Sequence, residues 1–522
     1  MSPSGKIKQM LRNLFNKKKS SQTFKRNAQP ISSNLFLNEK TIKEKLGSSD
    51  DIMFTKFNIT VGDGQKINAL MVAVDGLVDE DLKRENILKP LQLKSLDYKP
   101  NSNLDQVQDQ MQVKNIEVTS DLHDALNQVL LAKMFVLVDG YAKGLLIKGE
   151  GYEVRAISEP TNEQTVRSSH EGFVESNGVN MSMIRRRVVD QNLRFESFEL
   201  GKLTKTDVKL AYIEGLTDPG IVQRVRQRLE QIEVDAINSD GEIEQLIEDH
   251  PYSIFPTVGN TERPDKAASL LTEGRIVILT SGTPITLFGP NLFLENFTHI
   301  EDYTSRPYYS SLVRLTRFIA FFISIYAPAL YLTALNFEKN LIPSDLVVPI
   351  IQARELVPFP LVIEMLIAVL LYEIVREAGV RLPQSVGSAL SIVGALILGE
   401  VAVSAGLIGA PTIVVVSLSY IASFVITPIA DVVSILRVVL IAAAGVFGSF
   451  GIVMVSLGLL THGVMLTSFG VPYMAPFSPF YFRDWKDAFI RVPTRLLKKR
   501  PQSIPMQKRD RITSVPETEE NQ

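Results

Sequence analysis

The chain has 522 residues, of which 55 are Lys or Arg and 57 are Asp or Glu, leaving a formal net charge of -2. That balance excludes a chain-wide electrostatic pull toward nucleic acid, and the absence of cysteine excludes disulfides, cysteine nucleophiles and thiolate metal sites. The charges are unevenly placed: between residues 386 and 470 only Glu400, Asp431 and Arg437 are charged, a composition that marks an integral membrane protein.

Residues 1–50 form a basic tail, with eight Lys or Arg in the first 26 positions and no acid before Glu39. No apolar run follows that would serve as a signal-peptide core, so this end is expected to stay unexported. Its composition is that of a disordered cytoplasmic tail. Residues 6–15 also fit a short basic amphipathic helix on anionic lipid.

From about residue 52 to 303 the sequence reads as soluble α/β. Residues 68–77 form an apolar strand that runs into a turn, and a helical stretch over 79–91 follows with Pro90 near its end. The same order recurs downstream, where residues 208–216 form a strand ending in acid-Gly-Leu. Asp218 and Pro219 then supply the N-cap and first-turn proline of a helix to Ile237. Two hairpins also correspond, residues 135–147 turning at Asp139-Gly140 and residues 276–288 turning at Ser281-Gly282. Gly76 to Gly215 is 139 residues and Gly140 to Gly282 is 142, offsets that predict two related subdomains in tandem, residues 51–159 and 160–305.

No catalytic constellation accompanies this half. Gly62-Asp63-Gly64 lacks the Lys-Ser/Thr of a phosphate loop, and nothing reads as a dinucleotide fingerprint or a nucleophile elbow. The five histidines, His123, His170, His250, His299 and His462, never fall at metal-ligand spacing. A non-enzyme without cofactor or metal is expected. Charges near glycine recur in the loops at 159–163, 171–175, 184–187 and 261–265, where surface caps and salt bridges worth ~0–1 kcal/mol each are a sufficient account.

Residues 306–478 read as a helical membrane domain with four to six crossings. Residues 315–335 are a span preceded by Arg306, Arg314 and Arg317, which places the soluble half on the cytoplasmic side. Residues 386–408 and 412–429 are further spans joined at Gly409-Ala410-Pro411. Residues 435–470 are too long for one ordinary span and short for a hairpin. Six crossings result if 357–375 spans and 435–470 folds back, and four if neither does. The tail, 479–522, carries ten Lys or Arg from 483 to 511 against three acids, so it also belongs in the cytoplasm.

Within 357–375, Pro358 and Pro360 suit a helix start, and Glu364 and Glu373 are carboxylates in otherwise apolar sequence. Nine residues apart, they face opposite sides of a helix, whereas Val362, Val369 and Glu373 fall within roughly 40° of one another. Around a pore made by several copies, that face offers an apolar constriction and a carboxylate ring. The alternative is that Glu373 pairs with Arg376 or Arg437. Small residues at Gly387, Ser391, Gly394 and Gly399, and from Ala444 to Gly451, permit close helix approach. His462 reads as an intramembrane, hydrogen-bonded structural residue, and residues 480–485 as an aromatic interfacial anchor.

Ten or more short blocks occur in an order that resembles the A subunit of the GerA family of bacterial spore germination receptors. They are Asp75-Gly-Leu-Val-Asp79, Glu159-Pro160, Glu171-Gly-Phe-Val-Glu175, Asn180, Arg185-Arg-Arg187, Phe255-Pro256, Thr261-Glu-Arg-Pro-Asp265, Glu273-Gly-Arg275, Gly282-Thr-Pro284, Glu301-Asp-Tyr303, Pro358-Phe-Pro360 and Arg376-Glu-Ala-Gly-Val-Arg-Leu-Pro383. One departure is Ser168-Ser169-His170, where the family more usually has a glycine-containing segment. The resemblance covers the chain from about residue 52 to the basic tail, and it singles out Glu159, Glu171, Arg185, Glu262, Arg263 and Asp265 as cytoplasmic motif residues. It implies a multi-pass protein of the endospore inner membrane, in complex with a B subunit resembling an amino-acid transporter and a lipoprotein C subunit. Such an A subunit would oligomerise and gate cation release in response to a nutrient, with Val362, Val369, Glu373 and Glu364 as candidate gate residues. A solute permease and an accessory germination protein without a nutrient role are the alternatives. Inverted repeats among the spans, which would favour a permease, are not seen.

Overall fold

The computed structural model describes residues 29–47, 49–61, 65–93, 104–113, 115–151, 159–160, 163–381, 394 and 397–511. Most of the basic N-terminal tail, residues 62–64, Gly387, Ser391 and much of the first half of the expected span at 386–408 lie outside them. Two units emerge, Met1–Arg155 with Met181–Glu196, and Ala156–Asn180 with Ser197–Gln522.

The first unit is built on β1 (Ile52–Val61), β2 (Gln65–Val74), β3 (Ile116–Thr119), β4 (Lys133–Val138) and β5 (Gly144–Lys148) in the order β1-β2-β4-β5-β3. Every pairing is antiparallel. Side-chain alternation sorts β2 between two cores. Ala69, Met71 and Ala73 pack with Ile87 and Leu91 on one face, and Leu70, Val72 and Val74 with Leu122, Leu126 and Val129 on the other. Helices therefore cover both faces, which explains why β2 reads as a continuous apolar run.

The second sheet contains β6 (Leu193–Leu200), β7 (Thr206–Ile213), β8 (Gly259–Thr261), β9 (Ile276–Thr280) and β10 (Thr286–Gly289) in the order β6-β7-β9-β10-β8. Strand for strand this repeats the first order. The paired turn glycines match in conformation, with φ of 69° at Gly76 and 74° at Gly215, and 89° at Gly140 and 90° at Gly282, a left-handed region that glycine enters without a Cβ penalty. The helix after β7, Pro219–Glu230, is capped by the Asp218 carboxylate accepting from Gly220 N and stops short of the expected Ile237. Lys202 N and Leu203 N donate to the carbonyls of Val234 and Asp235, so the chain past Glu230 pairs with a loop and leaves the helix.

The second core differs from expectation in what completes it. Val208, Leu210, Ile276 and Ile278 pack with Ile221, Val225 and Leu229, and also with Phe469, Val471, Ala475 and Ile504. Within the expected extent of 306–478 and the basic tail from 479, several residues pack on the α/β core. The last long helix ends at Met465, and a two-stranded turn, Thr467–Ser468 against Val471–Pro472, carries Phe469 into the soluble core. Downstream, Gln507 N donates to Leu216 O and Arg500 Nε to Thr272 O. Apolar residues spaced among the basic ones draw the segment onto the subdomain, which a count of charges does not reveal.

Among the described residues, four helices form the bundle: Pro307–Asn336, Leu361–Arg381, Ala410–Ser423 and Ala430–Met465. Among the described residues two stretches are long and apolar enough to cross a membrane, Pro307–Asn336 and Thr427–Met465. The second is not a straight rod, because Gly448 sits at φ 59°, ψ -139°. A Cβ on Gly451 would collide with the carbonyl of Ala443, eight residues earlier, a proximity that requires the chain to fold back on itself. The contacts agree. Arg437 reaches Ser324 midway along the first helix, Gly448 and Ser449 lie at its far end beside Phe337 and Glu338, and Ser456 returns to Tyr326. Each arm then has about 17 residues and a length of roughly 25 Å. The 36-residue apolar stretch is thus a helical hairpin. Ala410–Ser423, at 14 residues, covers less of the expected 412–429 span.

Candidate functional site

Among the motif residues singled out from the sequence, Arg185 and Arg263 each centre a buried clamp. In the first unit, Arg185 donates to both Asp51 carboxylate oxygens at 2.8 and 3.0 Å and to the carbonyls of Asp190 and Leu193. Both charged side chains are about 1 % exposed. In the second unit, Arg263 grips Asp265 at 2.7 and 3.1 Å and donates to Glu163 O, Thr165 Oγ1 and Ser169 O, so it staples residues 163–169 to the helix that begins at Pro264. Glu262 N donates to Glu163 Oε2, and Lys266 lies 2.7 Å from Glu163. Burial alone would raise the Glu163 carboxyl, but Lys266 and the donors Thr261 and Glu262 N hold it below its usual range. The departure at Ser168 has a structural use, since its hydroxyl donates to Asp265 at 2.7 Å. Glu171 is half-buried, whereas Glu159 is exposed with only exposed His170 at 3.6 Å. Such clamps, with nearly every charge satisfied, hold loops in place. No group of three or more His, Asp or Glu that could hold a metal occurs among the described residues.

In the bundle, the spacing of the four candidate gate residues meets real packing. Glu364 is fully buried, 2.8 Å from Arg354 and accepting from Gly409 N at 2.9 Å. Glu373 lies 2.8 Å from Arg376 and accepts from Tyr420 OH at 2.9 Å, with Arg437 3.9 Å away, so both arginines named as its alternative partners lie beside it. Val369 is buried and its carbonyl accepts from Tyr420 OH, while Val362 packs beside Gly445. Within one chain the shared face of Val362, Val369 and Glu373 therefore contacts the helices Ala410–Ser423 and Ala430–Met465.

Arg437 is the least expected feature. It is fully buried, stacks 3.9 Å over the Tyr420 ring, and its Nε donates to Ser324 O at 2.9 Å. Ser324 O is available because the residue four positions on is Pro328, which has no N–H to return. Ser419 Oγ donates to the same carbonyl at 2.7 Å. One proline thus creates an acceptor at which three helices meet. The signal was present in the sequence as a lone arginine in an apolar run and a proline inside a span, but nothing there links the two.

Below the bundle, Arg314 is fully buried between Asp302 at 2.9 Å and Asp487 at 2.8 Å, and Arg317 adds a second contact to Asp302. Tyr303 OH donates to Asp487 at 2.8 Å, and burial raises the phenol above its usual pKa. His462, expected inside the membrane, instead hydrogen-bonds Ser253 of the soluble half at 2.9 Å. Beside it, Asp249 accepts from Thr467 Oγ1 and Gly470 N, and Arg224 donates to Phe469 O. The first and last bundle helices are in this way tied to one α/β subdomain.

Comparison with known proteins bears on this arrangement. The sequence profile described as Bacillus/Clostridium GerA spore germination protein matches residues 40–503. Spore germination protein KA of Bacillus subtilis (strain 168) is 38% identical over 476 residues, covering 91% of this chain and 87% of that protein. The membrane protein YfkQ of the same organism, described as uncharacterized, is 37% identical over 474 residues, covering 90% and 91%. The crystal structure of the N-terminal domain of the A subunit of the Bacillus megaterium spore germinant receptor GerK3 aligns with 51% of this chain and 99% of that one, at 33% identity and a TM-score of 0.41.

Proposed function

The chain belongs to the GerA family of spore germination proteins, and on that premise we propose that it is the A subunit of a nutrient germinant receptor, multi-pass in the inner membrane of the endospore. In this reading it works with a transporter-like B subunit and a lipoprotein C subunit, and several copies form a channel whose opening releases cations and starts germination. The observation that carries the coupling is the hairpin helix that descends from the bundle and ends with Phe469 and Val471 in the core of the second α/β subdomain. A movement of that subdomain is thereby mechanically tied to the helix that holds Arg437, and through Arg437 to Tyr420 and Glu373. Folding back at Gly448 supports six crossings with both ends in the cytoplasm.

Val362, Val369 and Glu373 are the gate residues of this proposal, with Glu364 as the second carboxylate. Nutrient-triggered cation release from spores tests it. Val362→Ala is expected to leak without nutrient, and Glu373→Gln to lower cation preference. Loss of subunit abundance with unchanged ion preference would instead assign Glu373 to packing. If spores lacking the chain release ions normally with every nutrient tried, the receptor role is wrong. A second reading, an accessory germination protein without a nutrient role, is favoured by the 37% identity to a relative described only as a membrane protein. A B-like and a C-like protein co-purifying from dormant spore membranes would exclude it.

A further inference from the structure

A cleft of about 500 Å3 opens in the second unit, lined by the loop before the first bundle helix, by the C-terminal segment and by Thr427 and Pro428 at the foot of Ala410–Ser423. Its wall carries eight Lys or Arg against five acids. The acids are already engaged. Glu163 faces Lys266, Glu295 faces Arg275, and Asp487 takes Arg314 and the Tyr303 hydroxyl. Asp484 accepts from the backbone of Gln502 and Ser503, and Glu273 lies between Arg275 at 3.8 Å and Arg511 at 3.7 Å. Arg483 and Lys486, by contrast, are exposed and have no side-chain partner among the described residues.

The same segment supplies a second, independent observation. Phe480 and Phe482, on one side of these cations, are 62% and 78% exposed, and Ile490 and Leu496, on the other, are 65% and 59% exposed. Large apolar side chains alternating with cations, next to the foot of an apolar bundle, are the pattern of a segment lying at the level of lipid head groups. We propose that this cleft binds the phosphate of an anionic phospholipid, with Arg483 and Lys486 as its ligands. The proposal rests on the membrane reading given above. A bound lipid would bridge the C-terminal segment and the end of Ala410–Ser423, so membrane composition would bear on the junction that Arg314 holds.

The experiment uses the full chain purified in detergent and placed in nanodiscs of phosphatidylcholine with or without phosphatidylglycerol, with retained phosphatidylglycerol counted by native mass spectrometry. Removing two cations at about fivefold each predicts roughly thirtyfold weaker retention for Arg483→Gln/Lys486→Gln. Arg483→Lys should restore retention when paired with native Lys486, and Lys202→Gln/Lys205→Gln, two exposed cations outside the cleft, should leave it unchanged. Both cleft positions are exposed, so an unaltered thermal transition is expected to accompany the loss. Equal retention by wild type and the double variant overturns the proposal, and so does displacement of the lipid by millimolar inorganic phosphate, which would assign the cleft to a soluble anion. Extraction of the protein from membranes by alkaline carbonate would overturn the membrane reading itself, whereas resistance to carbonate with unchanged retention removes the lipid site alone.

Discussion

The two α/β subdomains share one strand order and the same left-handed turn glycines, yet they close their cores in different ways. The first draws its buried apolar residues from between Ile31 and Ile147. The second is completed by Phe469, Val471, Ala475 and Ile504, residues that the chain supplies only after traversing the bundle. One strand order is thus completed in two ways, and the second core depends for its packing on chain that follows the bundle. The chain that leaves the last bundle helix therefore belongs to the core in which Phe469 packs.

Arg314→Leu is the most severe way to test the difference. It would leave Asp487 without its cation and Asp302 with Arg317 alone, at a cost of about 3 kcal/mol, a large part of the ~5–15 kcal/mol that holds a domain folded. Hydrogen exchange should then show lost protection in β7 and β9 and unchanged protection in β2 and β4; equal loss in both sheets would break the comparison. Phe469→Ala removes a side chain 1 % exposed and is expected to cost about 3 kcal/mol, again confined to the second subdomain, with earlier proteolysis of residues 197–300 as the readout. A first-subdomain control, Met71→Ala, should reverse the pattern.

Gly448→Ala sharpens the comparison at the bundle's turning point. The residue sits at φ 59° and its new Cβ would come within 3.0 Å of the Phe337 ring, so about 1–2 kcal/mol is expected from backbone strain. Reduced membrane-fraction abundance, without change in the first subdomain's exchange, would be the result. The smallest effect is on pH. Burial, with Glu248 and Asp240 nearby, raises the Glu244 carboxyl from 4.5 to about 7. A carboxyl raised in the folded state contributes stability below pH 4.5 that is lost as pH rises through about 7. Glu244→Gln should therefore gain about 1 kcal/mol at pH 8 and nothing at pH 4, read as melting temperature against pH; a gain equal at both would exclude charge as its cause.

Local signals carried much of the fold. Asp218-Pro219 marked a helix start, Ser281-Gly282 a hairpin, and the near-equal glycine offsets a tandem repeat, because caps and turns depend on residues close in sequence. The candidate site was less legible. Periodicity spaced Glu364 and Glu373 along one helix, but it could not say that Arg354 and Gly409 would enclose the first, or that Tyr420 would donate to the second. Arg314 was read as a topology signal, and its burial between Asp302 and Asp487 was invisible because Asp487 lies 173 residues away.

The sequence by itself determined the apolar character of the C-terminal half, the family resemblance and the α/β pattern of the N-terminal half, all of which follow from composition, spacing and short blocks. The tertiary structure alone decided that the 36-residue apolar stretch turns back at Gly448, since a hydropathy run has no direction. It also decided that Pro328 gives Arg437 its acceptor, and that the basic segment after the bundle completes a soluble core. Each of these depends on groups far apart in the chain meeting at one point, where burial makes an unpaired charge or carbonyl costly and so selects the partner.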